Sequence, residues 1–589
     1  MTDQRNIIIA FVISVAILLG FQYFYKIPRV RQATETASQQ PANETTPASS
    51  NEAAPTSPAV TPNAAGDETP APPPTAGATA EPKSAPDRAT ALAASPRLPI
   101  ETPTIMGSIA LTGARLDDLT LVKYHETVDP KSPAIILLSP PGAAHPYYAR
   151  FGWAAADPAV AVPGPDSEWR ADASVLRPDR PVTLSWDNGQ GLRFIQRVAI
   201  DENYIFTVTQ AVENKGNASV TLVPYGLLSR TGTPKTLGYY ILHEGLLGVL
   251  NGTLEEIGYK KIKEEGEKRI ESTGGWLGIT DKYWLAALIP TPDASIRARF
   301  LHTTRKDIDK YQADFQRQPM TVAPGAKAEV EDRFFAGAKV VQILDGYEAA
   351  YKITLFNRAV DFGYLWFLTR PIFFVIDYFY RLTGNFGIAI LLLTVIIKGL
   401  FFPLANKSYK AMSKMKKLQP KMKEMREEFG GDKQKLQQAM MKLYKAEKVN
   451  PMSGCLPIVV QIPVFFSLYK VLFVTIEMRH TPFFGWIHDL SARDPATIFN
   501  LFGMIPVDLP SFLNIGVWPL IMGFTMYLQQ RLNPQPPDPT QAKIMMMLPV
   551  VFTFMFARFP AGLVIYWTWN NLLSIAQQWT IMRRAGVST

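Results

Sequence analysis

The chain has 589 residues and a formal net charge of +9, with 47% of its residues hydrophobic and 19% charged. That length admits several domains, and such averages hide regions of very different character. A single cysteine, Cys455, excludes an intramolecular disulfide and any cysteine-cluster metal site, and no GxxxxGK[ST] phosphate loop occurs anywhere.

The first element in chain order is "IIIAFVISVAILLGFQYFY", Ile7–Tyr25. It is about as long as the roughly 20 apolar residues a membrane-spanning helix needs. No small-x-small cleavage site follows it, and "FQYFYKIPRV" resembles an aromatic interface belt with basic anchors. The segment is therefore expected to be a retained anchor. From Gln32 to about Pro99 the composition falls to Ala, Pro, Thr, Ser and Glu. Such a stretch buries too little apolar surface to offset its ordering entropy, so it is expected to be a disordered tether.

From about Thr104 to Val341 the pattern is short and alternating: "SIALTGARLDDLTLVKY", "PVTLSWDNGQGLRFIQRVAI", "YIFTVTQAVENKG", "SVTLVPYGLLSR". Gly, Asn, Asp and Pro turns separate these runs, which predicts antiparallel sheets packed as a sandwich. Little chemistry is visible in this region. His243-Glu244 could open a zinc-protease helix only with a second histidine four residues after the first, and Leu247 stands there.

Beyond Phe362 the apolar segments lengthen. "FGYLWFLTRPIFFVIDYFYRL" sets Arg370, Asp377 and Arg381 among aromatics and predicts an amphipathic helix lying at an interface. Gly384-Asn385 break the chain, and Phe386–Leu404, Cys455–Thr475, Ile515–Arg531, Ile544–Phe559 and Ala561–Ile581 are the next expected spans. With the first anchor they make six.

Between the second and third spans lies a lysine-rich stretch in which Met412, Met415, Leu418, Met422, Met425 and Phe429 fall on one helical face. Gly430-Gly431 end that helix, Asp432 caps the next, and Leu436, Met440 and Leu443 continue the stripe, predicting a helical hairpin. Lysine excess beside spans marks the cytoplasmic side, so the β domain is expected outside and both termini inside. The stripe fits either the hairpin's own core or an adaptable surface for apolar clients. The basic face suits ribosomal RNA or anionic lipid without any base-reading signal.

One residue stands out. "LLLTVIIKGLFFPL" carries Lys398 in an apolar run, at a cost of roughly 2.5–3.5 kcal/mol on insertion scales. Thr394 shares its helix face, and Gln461, Ser467, Asn570, Asn571, Ser574 and Gln577 are polar members of neighbouring spans. Lys398 either snorkels to the cytoplasmic interface or lines a water-filled groove within the bilayer, and the groove is the favoured reading.

"LLTVIIKGLFFPLANKSYKAMSKMKKLQPKM", "LYKAEKVNPMSGCLPIVVQIPVFFSLYKVL", "PFFGWIHDLSARDP" and "FPAGLVIYWTWNNLLSIAQQW" closely resemble the YidC insertases of the YidC/Oxa/Alb superfamily, from about Asp361 to Met582. "GARLDDLTL" and "GWLGITDKYWLAALIP" extend the resemblance more loosely over the outer domain. It implies an α-helical polytopic inner-membrane protein with six transmembrane helices and a five-helix core. A large all-β periplasmic supersandwich and a cytoplasmic helical hairpin complete that fold. The implied activity is insertion and chaperoning of nascent inner-membrane proteins, alone or beside the Sec translocon, with no enzymatic chemistry and no cofactor. The ribosome, the signal recognition particle receptor and the lipid bilayer are the other implied partners.

The groove positions carried over by motif are Lys398, Thr394, Gln461, Trp567 and Asn571, and the hairpin contacts are Met415, Lys416, Lys417 and Met422. The family typically has arginine where this chain has Lys398, which keeps the point charge but not the bidentate fork. The expected organisation is an anchor over 1–31, a linker over 32–100, a periplasmic domain over 101–345 and an interfacial helix over 361–383. A membrane core over 385–582 follows, including the hairpin over 406–450, and then a cytoplasmic tail over 583–589. The rival readings are an intramembrane Ser/Lys hydrolase and a solute transporter.

Overall fold

The computed structural model describes residues 87–236, 242–429, 431–447, 449–450, 456–497, 515–533 and 539–584. The expected anchor over 1–31, most of the linker, Cys455 and the end of the tail lie outside the described residues.

Alternation builds the first half. In the strand Leu192–Ile200 the side chains of Leu192, Phe194, Gln196, Val198 and Ile200 are buried, while those between them are not. That is the period of two expected of a sheet with one face in a core. The described strands form a ten-stranded and a nine-stranded sheet, all their ladders antiparallel. Their inner faces meet through Phe151 and Phe334, with ring centroids 6.4 Å apart, and the Tyr147 hydroxyl donates across to the Ile279 carbonyl at 3.3 Å. The domain is therefore an all-β sandwich. One close approach needs a glycine: a Cβ on Gly337 would lie 2.2 Å from Cγ of the buried Tyr204 ring. Two short helices, α1 (Arg88–Ala93) and α2 (Tyr259–Glu265), flank the sheets. His243 lies in a loop before the strand Gly245–Leu250, and its Nε2 sits 2.9 Å from the Leu246 carbonyl.

The second half is helical. Helix α3 (Val341–Tyr351) and a 3-10 turn (Phe356–Ala359) lead to α4 (Trp366–Thr383). Helix α4 buries Thr369, Ile372, Phe373 and Ile376, and exposes Phe367, Phe374, Tyr378 and Leu382. Its apolar side chains are thus divided between a buried face and an exposed one. Gly384 ends α4 at φ +68°, and the Asn385 side chain caps α5 (Phe386–Leu400) by accepting from the Ile388 N–H at 3.1 Å.

The expected continuous span Phe386–Leu404 is broken. Phe401 separates α5 from α6 (Phe402–Phe429), and the two helices bend by 67°. Pro403 explains the break, because its ring lacks an N–H and is tolerated only in the first turn of a new helix. Helices α7 (Lys433–Ala446), α8 (Leu456–Val474), α9 (Val517–Leu532), α10 (Pro539–Phe556) and α11 (Ala561–Arg584) follow. Among the described residues no single helix is long and apolar enough to cross a membrane, whereas α5 and α6 pass that test together.

Candidate functional site

Helix α11 organises the site. Tyr566, Asn570 and Ser574 recur every four residues and so share one face, while Trp567 and Asn571 share the next. Lys398, on the last turn of α5, donates from Nζ to Ser574 Oγ at 2.7 Å. Ser574 in turn donates to the Asn570 carbonyl at 2.8 Å. Two turns nearer the start of α11, Gln461 of α8 donates to the Tyr566 hydroxyl. Lys398 and Gln461 are thus brought to one face of one helix.

The other expected groove residues divide differently. Asn571 donates from Nδ2 to Thr525 Oγ1 of α9 at 3.2 Å. Trp567 meets Phe465 of α8 edge-on at 4.8 Å and Phe556 of α10 at 5.1 Å, in an apolar cluster with Met522 and Val564. Both belong to the adjacent face. Thr394 is 1% exposed and donates to its own helix at Ile390, so its hydroxyl is already satisfied.

Tyr566 and Ser574 matter more here than the sequence suggests. Ser574 and Asn570 enter the sequence reading only as polar members of the last span, and Tyr566 does not enter it. The available signal was the four-residue repeat itself. Along this face, Asn570 Oδ1, Gln577 Nε2 and Gln578 Oε1 are buried without a protein partner among the described residues, as is Ser467 Oγ of α8. Each such group costs about 1–3 kcal/mol if left dry.

The hairpin of α6 and α7 is held by its own stripe. Leu418, Met422, Met440, Leu443 and Val449 form a cluster, with Met415, Met425, Leu436 and Tyr444 packed partly buried against it. Met422 is therefore inside the hairpin, Met415 at its margin, Lys416 half-buried and Lys417 exposed. Asp432 caps α7 by accepting from the Gln434 and Lys435 N–H groups at 3.1 and 3.0 Å.

The outer end of α8 is tied to the β domain. Lys470 pairs with Asp361 at 2.8 Å, and Asp361 also accepts the His243 N–H at 3.1 Å. Past the end of α8, Glu477 accepts the Val341 N–H at 2.8 Å and so caps α3, whose own N-cap residue supplies no side-chain bond. Arg479 donates to the His125 carbonyl at 2.6 Å, over the rings of Tyr283 and Trp284. The pair Lys470–Asp361 is 15% and 20% exposed. Asp361→Asn should therefore cost about 2 kcal/mol, between the value of an exposed pair and that of a fully buried one. Urea unfolding of the full chain measures it, and the double change Asp361→Asn, Lys470→Met, which keeps an acceptor for the His243 N–H and removes the unpaired ammonium, should restore most of the loss. A cost under about 0.5 kcal/mol would mean that solvent screens the pair.

Residues 97–375 match the family described as YidC periplasmic domain, and residues 378–587 match the 60Kd inner membrane protein family. The chain is 51% identical to a membrane protein insertase YidC of Bradyrhizobium diazoefficiens, over 100% of this chain and 97% of that one. It is 50% identical to the corresponding protein of Granulibacter bethesdensis, over 99% of this chain and 98% of that one. A solved YidC insertase with its first transmembrane domain resolved is 17% identical, with TM-score 0.33, over 81% of this chain and 90% of that one.

Proposed function

This chain belongs to the YidC family of membrane protein insertases, and we propose that its insertion path is the polar face of α11 opposite Lys398. The protein is an α-helical polytopic inner-membrane insertase with a large all-β periplasmic domain, and it is not an enzyme. Its substrates are nascent membrane proteins.

The observation that carries the path is the Lys398–Ser574 contact. A half-buried ammonium is held there by a hydroxyl, with no carboxylate in reach among the described residues. An ammonium so placed attracts an incoming carboxylate. The polar atoms of Asn570, Gln577 and Gln578 on the same helix, unpartnered among the described residues, favour a hydrated groove, since buried polar groups are satisfied by water when protein does not reach them. A client's polar outer segment cannot cross roughly 30 Å of hydrocarbon unaided. A groove that carries water and charge partway shortens that path, while the client's apolar segment leaves sideways into lipid. No nucleotide motif is present, so burial of the client's apolar segment and the membrane potential supply the drive.

In this reading the groove opens to the cytoplasm, both termini and the hairpin are cytoplasmic, and five of six spans form the core. Met415, Lys416 and Lys417 meet the ribosome or the client before insertion, with Met422 fixing their helix from inside the hairpin. The Sec translocon and the signal recognition particle receptor are further partners in the same proposal.

The test is protease accessibility of a newly made client's outer tail in inverted vesicles. Lys398→Arg should retain insertion, because both side chains are cationic. Lys398→Ala should reduce it on the order of tenfold for the most acidic tails, as loss of one charge-assisted contact implies. A hydrolase using Ser574 and Lys398 makes the opposite prediction, since arginine cannot give up its proton as a general base. Equal loss in both variants with uncleaved precursor accumulating would overturn the groove.

A further inference from the structure

The ten-stranded sheet has a second face. Side chains such as Tyr147, Phe151 and Phe315 point toward the other sheet and build the core. Their alternates point away from it. Register aligns them in rows across the strands Tyr147–Ala155, Val220–Thr231, Ile308–Arg317 and Ser295–Arg305. Arg150, Leu227, Asp314 and Arg299 form one row, and Tyr148, Ser229, Gln312 and Leu301 the next.

Arginine–carboxylate contacts run along this sheet on either side of Arg150. Toward one edge, Arg97 and Arg115 meet Asp117, and Arg88 meets Asp118. Toward the other, Arg299 meets Asp314 at 3.0 Å and Glu267 at 3.5 Å. Arg150, on the central strand, has no carboxylate within ion-pair reach among the described residues. It is 3% exposed, and its one hydrogen bond is from Nη2 to the Tyr225 hydroxyl at 2.5 Å. A buried guanidinium facing only a phenol is costly.

Two unpartnered groups point to an occupant. Among the described residues Arg150 Nε has no partner, and neither has the hydroxyl of Ser229, which is 0% exposed. The two residues stand on neighbouring strands, Ser229 one alternate position along from the Leu227 that faces Arg150. The surroundings are apolar: Tyr148, Ala154, Val223, Tyr225 and Leu227 form a cluster separate from the main core. The Tyr225 ring lies down across Gly152, where a Cβ would come within 2.9 Å of its hydroxyl. The local field is positive as well. Burial, then the charges of Arg305 and Arg150, push the Lys310 ammonium down to about 8.

We infer that the outer face of the ten-stranded sheet binds a carboxylate at Arg150, accepted between its guanidinium and the Ser229 hydroxyl over Leu227. The carboxylate supplies the acid that this row of contacts lacks. Its source is the acidic side chain of a peptide or a free organic acid, and the two are separable. The site is independent of Lys398 and of the groove proposed above.

The test uses the full chain in lipid nanodiscs and titration calorimetry. The probes are an end-blocked Glu/Ala peptide, its Gln/Ala counterpart, and glutarate. The Glu peptide should bind saturably and the Gln peptide about tenfold more weakly or worse. With Lys398→Ala as the common background, so that the groove adds no acid binding, Arg150→Met should weaken the Glu peptide by about 10–100-fold and Ser229→Ala by about 2–10-fold. Arg150→Met should also keep or raise the unfolding midpoint of the ligand-free protein, because it removes an unpaired buried charge. Binding of glutarate but not of the Glu peptide would support the site and assign it to a free acid. Unchanged peptide binding in Arg150→Met, or no saturable binding of any probe, would overturn the inference.

Discussion

Trp276→Ala is expected to lower the unfolding free energy of the β domain by about 3–5 kcal/mol, as truncation of a large buried aromatic does. Trp276 is the largest side chain among those with essentially no solvent exposure. Its indole N–H donates to the Thr354 carbonyl at 3.2 Å, and its ring meets Phe356 edge-on at 5.3 Å. Both partners lie in the strap between α3 and α4, so the side chain fixes the sheet to the segment that leads into the membrane domain. The measurement is urea unfolding of the full chain in detergent, followed by circular dichroism in the β region. Trp276→Phe keeps most of the volume and loses the bond, and should cost less than half as much. A loss under about 1 kcal/mol for alanine would mean that the strap closes over the cavity without penalty.

The second large effect is a pH dependence. Burial pushes the Glu477 carboxyl up to about 7 from its usual 4.5, with backbone N–H groups including that of Val341 opposing the rise and Asp377 adding to it. A raised acid binds its proton more tightly in the folded state, so folding is favoured on the acid side. The contribution is complete below about 4.5 and is lost as pH rises toward about 7. The interval corresponds to about 3 kcal/mol. Glu477→Gln keeps a carbonyl for the Val341 N–H and cannot ionise. It should match the parent near pH 4.5 and exceed it by up to about 3 kcal/mol at pH 8. Thermal unfolding across that range decides the matter, and parallel curves for the two proteins would refute it.

The all-β region was legible because its strands alternate cleanly, as Leu192–Ile200 does, and because turn residues separate them. The helices were legible through length and through caps such as Asn385 and Asp432. The bend at Phe401 was missed because the apolar run continues through it, and hydropathy does not register that Pro403 must start a new helix. The polar face proposed as the insertion path is marked only in part by the sequence. Lys398 announces itself by its cost in an apolar run, and Gln461 by its polarity. Trp567 and Asn571 share a helix with the Lys398 partners, yet one residue along a helix is about 100° of rotation, enough to put them on another face. Tyr566 was invisible because a tyrosine among aromatics carries no polarity signal until its neighbour is known. The junction residues Asp361, Glu477 and Arg479 could not be found from one sequence. Each acts on a partner far away in the chain, and no local pattern marks such a pairing.

That separation has a consequence in time. The carbonyl of His125 lies 354 residues before the Arg479 that binds it. At about 5–20 residues per second of synthesis, roughly 20–70 s pass between their appearances. The sandwich can complete its sheets in that interval, with the His125 carbonyl still open to water. An unfinished chain therefore carries an untethered outer domain, and the fastening to α8 closes only after the helix that bears Gln461 has been made. Stalled chains long enough to carry residue 479 clear of the ribosome, with Arg479 kept or changed to Ala, would differ in this one respect, so the closing of that contact dates the fastening of the outer domain to α8, before α11 and its polar face exist.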